Sequence, residues 1–132
     1  MNKKVFISFN EENIKVANGI DEYLGDSICW LAHKEVKAID DNLLSDEDQK
    51  LDAIKNSDYL ILILSKFTNN AKINLDEVKI AFDNNVKIIT FRIEDINPSK
   101  DLESYINKDL WFDVFKNHVY EHMQKLEKII LS

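Results

Sequence analysis

The amino-acid sequence predicts one α/β domain over residues 1–132, with a central parallel sheet flanked by helices. Three observations predict this fold. Short apolar runs rich in strand-forming residues alternate five times with helical segments, as in parallel sheets built with right-handed crossovers. The run YLILIL is apolar at every position, which suits a strand covered on both faces. Only two glycines and one proline occur, and no linker or repeat divides the chain.

The first half of the chain begins with a predicted strand and helix. KVFISF at 4–9 has strand composition and ends at the polar sequence NEEN, where a helix can begin. Apolar residues then recur near a 3.6-residue period over 11–24, and Gly25 follows where a helix commonly ends in glycine. SICWLA at 27–32 predicts a second strand, and a long polar loop separates it from a predicted helix over 46–56.

The second half continues the alternation of strands and helices. YLILIL at 59–64 is the predicted central strand, and a helix is predicted over 70–84. The apolar stripe of that helix consists of Leu75, Val78, Ala81 and Phe82. VKIITFRI at 86–93 predicts the fourth strand and 110–113 a minimal fifth strand. The apolar positions of the closing helix begin at Phe115.

Composition argues against several classes of partner. The net charge of -7 repels a phosphate backbone, and the lysines are dispersed, so we expect no nucleic-acid partner. Cys29 is the only cysteine, which excludes a disulfide framework and fits a reducing compartment. No apolar stretch is long enough for a secretory signal or a membrane span. We therefore expect a cytoplasmic protein with no membrane partner.

Several common site chemistries do not fit the sequence. No glycine-rich loop follows the first strand, where a Rossmann or P-loop protein would bind phosphate. Ser65 and Lys66 follow the central strand, where a phosphoacceptor receiver domain would have an aspartate. His118 and His122 form an i, i+4 pair without the further ligands that a metal site needs. We expect neither a metal nor a resident cofactor.

Glu77 lies on the predicted helix that follows the central strand. At about 100° per residue it falls just off the edge of the apolar stripe. In open parallel sheets, ligands bind at the carboxyl ends of the strands. A carboxylate at this position can lean toward those strand ends. Periodicity alone, however, does not distinguish Glu77 from the other acidic residues, of which the chain has 24 in all.

Five segments, in order, resemble the sequence boxes of the TIR family (Toll and interleukin receptor type), especially its bacterial members. They are VFISF at 5–9, CWLAHKE at 29–35, AIKNSDYLILILS at 53–65, the stretch 69–95 that contains Asp76-Glu77-Val78 and ends in FRIED, and WFD at 111–113. The resemblance covers essentially the whole chain. It implies the family's three-layer, flavodoxin-like fold with a five-stranded parallel sheet.

The resemblance also implies a function. In this family, enzymatic members cleave NAD+ between nicotinamide and ribose, and some cyclise the ADP-ribose product. The family's catalytic glutamate matches Glu77. A carboxylate suits this reaction because it stabilises an oxocarbenium-like ribose and accepts hydrogen bonds from ribose hydroxyls. The implied partners are NAD+ as substrate and other TIR domains or further copies of this chain, and the implied context is bacterial anti-phage defence or NAD+ depletion.

The same resemblance suggests further contacts to substrate. The candidate substrate-binding residues are Ser8, Phe9, Asn10, Trp30, Lys34 and Ile73. Phe9 can stack on a ring, but packing at the strand end explains it equally well. Trp30 also suits the core, and Lys34 either meets a phosphate or faces water. Ile73 stands where enzymatic members often have tryptophan, one helical turn before Glu77.

Three functions remain open on the sequence. The first is an NAD+-cleaving TIR enzyme activated by self-assembly. The second is a non-catalytic TIR module that signals by docking another TIR domain, which is the other established use of the fold. The third is an enzyme resembling nucleoside deoxyribosyltransferases, since that related architecture also uses a helix glutamate near the strand ends.

Overall fold

A computed structural model describes residues 3–25, 29–30, 46–115 and 119–131 of the chain. The strands are β1 (Val5–Ser8), β2 (Cys29–Trp30), β3 (Tyr59–Leu64), β4 (Lys87–Arg92) and β5 (Trp111–Asp113). The helices are α1 (Ile14–Leu24), α2 (Asp46–Lys55), α3 (Lys72–Asp83), α4 (Lys100–Glu103) and α5 (Val119–Leu131), with 3₁₀ turns at Glu11–Asn13 and Lys108–Leu110. None of the helices in these ranges is long and apolar enough to cross a membrane.

The strands form one parallel sheet in the order β2-β1-β3-β4-β5. Within the described residues, four strands of three to six residues make up most of this sheet, and β2 adds a two-residue pairing beside β1. The predicted α/β class with a helix-flanked parallel sheet is confirmed. The order reverses between β1 and β3, which makes the gap between their carboxyl ends a topological switch point.

The central strand β3 divides its side chains between two cores, because successive residues of a strand face opposite sides of the sheet. All six of its residues are buried. Tyr59, Ile61 and Ile63 face α1 and α5, whereas Leu60, Leu62 and Leu64 face α2, α3 and α4. Each fully buried aliphatic side chain contributes about 1.5–3 kcal/mol relative to exposure. Helices covering both faces explain why the strand is apolar throughout.

Two sequence predictions about apolar residues of helices are wrong. Phe82 does not continue the buried stripe of α3: its side chain is 53% exposed and packs edge-on against Tyr105, with ring centroids 5.1 Å apart. The smaller Ala81 is fully buried at this end of the helix. Phe115 lies in a turn after β5 and does not begin the closing helix. Its ring instead lies under the guanidinium of Arg92, 4.8 Å from the ring centroid.

The two glycines of the chain make a matched pair for a stability test. Gly25 ends α1 at φ 91° and ψ 152°, a conformation that is almost restricted to glycine. Gly19 lies inside α1, and an added Cβ meets nothing within 4 Å at either position. We expect Gly25→Ala to lower the free energy of unfolding by about 1–3 kcal/mol. Gly19→Ala should raise it by about 0.5–1 kcal/mol, because alanine favours the helix interior.

Urea denaturation of the wild type and the two variants measures this difference. Because neither added methyl group meets a heavy atom beyond the neighbouring backbone, the opposite signs would come from backbone conformation. Destabilisation of the same size in both variants would contradict the assigned backbone angles.

Candidate functional site

Buried polar side chains gather where the strand order reverses. Ser8 ends β1 and Ser65 follows β3, and both are fully buried. Glu77 and Asn74 reach the same region from α3, with exposures of 5% and 2%. Buried polar groups need hydrogen-bond partners, so their arrangement at this point defines the candidate site.

Glu77 directs its carboxylate at the end of β1. Its Oε1 accepts a hydrogen bond of 2.6 Å from Ser8 Oγ. Its Oε2 lies 3.2 Å from Lys50 Nζ of α2. The carboxylate is therefore held between a strand-end hydroxyl and an ammonium group. A charge in this setting is stabilised by directed donors, which fix its orientation.

Asn74 positions the serine that contacts Glu77. It precedes Glu77 by three residues, so both side chains lie on the same face of α3. Its Nδ2 donates to Ser8 Oγ at 2.8 Å and to the Phe9 carbonyl at 3.3 Å. Ser8 Oγ thus accepts from Asn74 while donating to Glu77, and this chain of hydrogen bonds joins α3 to β1.

A cleft of about 190 Å³ opens between α2 and α3 beside Glu77. Its lining residues are Asp48, Lys50, Leu51, Ile73, Asp76, Glu77 and Ile80. The lysine side chain is 26% exposed, against 7% for the glutamate side chain, so Lys50 lies nearer to solvent. Three of these lining side chains are apolar and four are charged, and Glu77 is the one of the seven that is buried. The carboxylate therefore lies at the inner end of the cleft.

A second group of hydrogen bonds fixes the end of β3. Ser65 Oγ donates to Asn13 Oδ1 at 2.7 Å and accepts from the Phe67 amide at 3.2 Å. Thr68 Oγ1 accepts from the Ser65 amide and donates to the Ile63 carbonyl. These bonds satisfy the backbone groups that β3 leaves unpaired at its end. They order the chain that follows β3 at the switch point.

The other predicted substrate-binding residues have different surroundings. Phe9 is half-buried and packs against the core on the α1 and α5 face, opposite Glu77. Asn10 accepts a hydrogen bond from the Glu12 amide and so caps a 3₁₀ turn. Ile73 is 63% exposed and lines the cleft with Glu77. Of these three, only Ile73 shares the cleft.

The structure does not describe the side chains of two predicted substrate-binding residues. Trp30 belongs to β2 and pairs with Phe6 of β1, but its side chain lies outside the described set. Lys34 lies outside the described residues altogether. Their predicted roles remain predictions.

Sequence reasoning missed Lys50 and Asn74. Asn74 carries a usable signal, because its spacing of three from Glu77 puts both on one helix face. Lys50 carries none, because only the packing of α2 against α3 brings it to Glu77. Among the described residues, no group of three or more histidine, cysteine, aspartate or glutamate side chains is arranged to hold a metal ion.

Comparison with known proteins identifies one family. A family model described as a TIR domain matches residues 5–130. The matched region begins at the first residue of β1 and extends to the penultimate residue of α5. Comparison with curated proteins gave no match.

Proposed function

Because the chain belongs to the TIR domain family, we propose that it is an NAD+ hydrolase. The reaction cleaves the bond between nicotinamide and ribose and yields ADP-ribose or a cyclic ADP-ribose. Glu77 is the proposed catalytic residue. The observation that carries this proposal is a nearly buried carboxylate, oriented by Ser8, at the inner end of an open cleft.

The reaction depends on a fixed negative charge near ribose more than on protonation of the leaving group. As the glycosidic bond lengthens, positive charge develops on the ribose ring, and nicotinamide leaves as a neutral base. A carboxylate held in place beforehand stabilises that charge without having to reorient during the reaction. Glu77 meets this requirement because Ser8 donates a hydrogen bond to it from β1, and Asn74 in turn holds the Ser8 hydroxyl in place. Water then attacks C1′, or an adenine nitrogen attacks C1′ in the cyclising variant, and either step releases one proton to solvent.

We further propose that self-assembly raises the activity of this chain. TIR domains commonly self-associate, and the chain belongs to that family. The biological setting that fits such an enzyme is NAD+ depletion, as in bacterial defence against phage. Assembly also makes the proposal easy to test, because activity should rise more than linearly with protein concentration.

The test is to incubate the purified protein with NAD+ over a range of concentrations, with and without a crowding agent. Chromatography follows NAD+ loss and identifies the products, while light scattering follows assembly. We expect nicotinamide to appear with linear or cyclic ADP-ribose, and turnover per molecule to rise with assembly. Assembled protein that leaves NAD+ intact would contradict the proposal and favour the scaffold function. A parallel incubation with a deoxynucleoside and a free base tests the transferase alternative.

A further inference from the structure

The Lys50–Glu77 ion pair is unfavourable for the reaction that Glu77 is proposed to perform. The ammonium of Lys50 lies 3.2 Å from Glu77 Oε2. A positive charge at that distance shields the carboxylate and repels the positive charge that develops on ribose. If Glu77 performs the proposed function, this ion pair must open when the substrate binds.

The lysine is the partner that can move. Glu77 is held by Ser8 and has a side chain that is only 7% exposed, whereas that of Lys50 is 26% exposed. A lysine also carries its compact charge on a flexible four-carbon stem. Lys50 can therefore change partners without disturbing the carboxylate.

The substrate itself offers a second partner for Lys50. NAD+ carries a diphosphate attached to C5′ of the same ribose whose C1′ bond breaks. When the hydroxyls of that ribose approach Glu77, the phosphate arrives close by. Among the described residues that line the cleft, Lys50 is the only cation, and Asp48 and Asp76 are negative. A diphosphate entering this cleft is therefore attracted to Lys50 and repelled elsewhere.

We propose that Lys50 is a positioning residue that exchanges the Glu77 carboxylate for the substrate diphosphate. The exchange leaves Glu77 with its full charge facing ribose and holds the substrate by its phosphate. It also makes the diphosphate a determinant of specificity: a nicotinamide nucleoside without phosphate leaves the ion pair closed.

A binding measurement tests the exchange without relying on turnover. ADP-ribose contains the diphosphate and lacks the scissile bond, so it binds without being cleaved. Calorimetry measures its affinity for the wild type, Lys50→Met and Lys50→Arg. We expect Lys50→Met to weaken binding about 10- to 100-fold, as expected for loss of a hydrogen bond between charged groups. Lys50→Arg should retain most of the affinity. Lys79→Met, exposed on α3 and outside the cleft lining, should bind like the wild type.

Kinetics then separate positioning from a structural role. NAD+ and nicotinamide riboside share the scissile bond, and nicotinamide riboside lacks the diphosphate together with the adenosine attached to it. We expect Lys50→Met to lower kcat/KM for NAD+ about 10- to 100-fold and to leave that for nicotinamide riboside unchanged or raised. Equal losses on both substrates, or ADP-ribose affinity equal to the wild type, would overturn the exchange. If the wild type cleaves neither substrate, the proposed function fails, and the ADP-ribose measurement alone decides whether Lys50 binds diphosphate.

Discussion

Glu77→Gln will lower kcat for NAD+ cleavage on the order of 100- to 1,000-fold and change KM little. Glutamine keeps the shape of the side chain and can still accept the hydrogen bond from Ser8. It loses the negative charge that stabilises the developing oxocarbenium ion, which is the larger contribution to the rate. An effect concentrated in kcat is expected when the interaction strengthens only in the transition state.

The control for this substitution is Asp83→Asn. Asp83 is the last residue of α3, is exposed and lies outside the cleft lining, and the substitution removes the same charge from the same helix. Its turnover should match that of the wild type. Steady-state kinetics, measured at the same degree of assembly, compare the turnover of the three proteins. Their melting temperatures check that each variant is folded. Wild-type turnover in a folded Glu77→Gln variant would mean that the catalytic group lies elsewhere.

Arg92→Met will lower the free energy of unfolding by about 2–3 kcal/mol. Arg92 ends β4, and its Nε donates to Asp113 Oδ1 at 2.6 Å. Its Nη1 donates to the Ile96 carbonyl at 3.0 Å, and its guanidinium lies against the rings of Trp111 and Phe115. The substitution leaves the partly buried Asp113 carboxylate without its ion-pair partner. A hydrogen bond between charged groups contributes about 1.5–3 kcal/mol.

The same contacts determine how the stabilisation depends on pH. The hydrogen bond that Arg92 donates to Asp113 raises the pKa of Arg92 above its ordinary value. The negative charges of Asp113 and Asp95 also raise this pKa, while burial opposes the shift. A pKa raised by folding stabilises the folded state at every pH below the unfolded pKa. The stabilisation is lost only as pH rises through the folded pKa. Arg92 therefore contributes equally across the neutral range.

Urea denaturation compares Arg92→Met with Lys87→Met. Lys87 begins the same strand and is exposed, so its substitution should change stability by about 0.5 kcal/mol or less. If both variants lose equal stability, the Arg92 contacts contribute nothing beyond strand propensity.

The central strand was predictable because its apolar sequence fits a strand that is covered on both faces. Six successive apolar residues at 59–64 need two covered faces, and the strand has those bounds in the structure. The ends of the neighbouring elements were less predictable. Leu110 was assigned to the last strand but lies in a 3₁₀ turn, and Phe115 was assigned to the last helix but packs on Arg92. These residues follow tertiary contacts, which periodicity does not report.

Helix periodicity located the site only in part. It put Glu77 near the edge of the buried face of α3, and the carboxylate is indeed buried there. It failed for Phe82, because two adjacent residues, Ala81 and Phe82, fit the same stripe and only the smaller one is fully buried. It gave no sign of Lys50, which comes from another helix. A pairing across elements depends on how the helices pack, and the spacing within one helix does not encode it.

In the proposed function, NAD+ binds in the cleft between α2 and α3 with its nicotinamide ribose at Glu77. The most direct measurement is a crystal structure of the Glu77→Gln variant with NAD+ bound. We expect the ribose hydroxyls within hydrogen-bond reach of the side chain at position 77, about 2.6–3.2 Å, and a phosphate oxygen at Lys50. NAD+ bound elsewhere, for example in the depression lined by Asn69, Lys72 and Ser99, would contradict the claim.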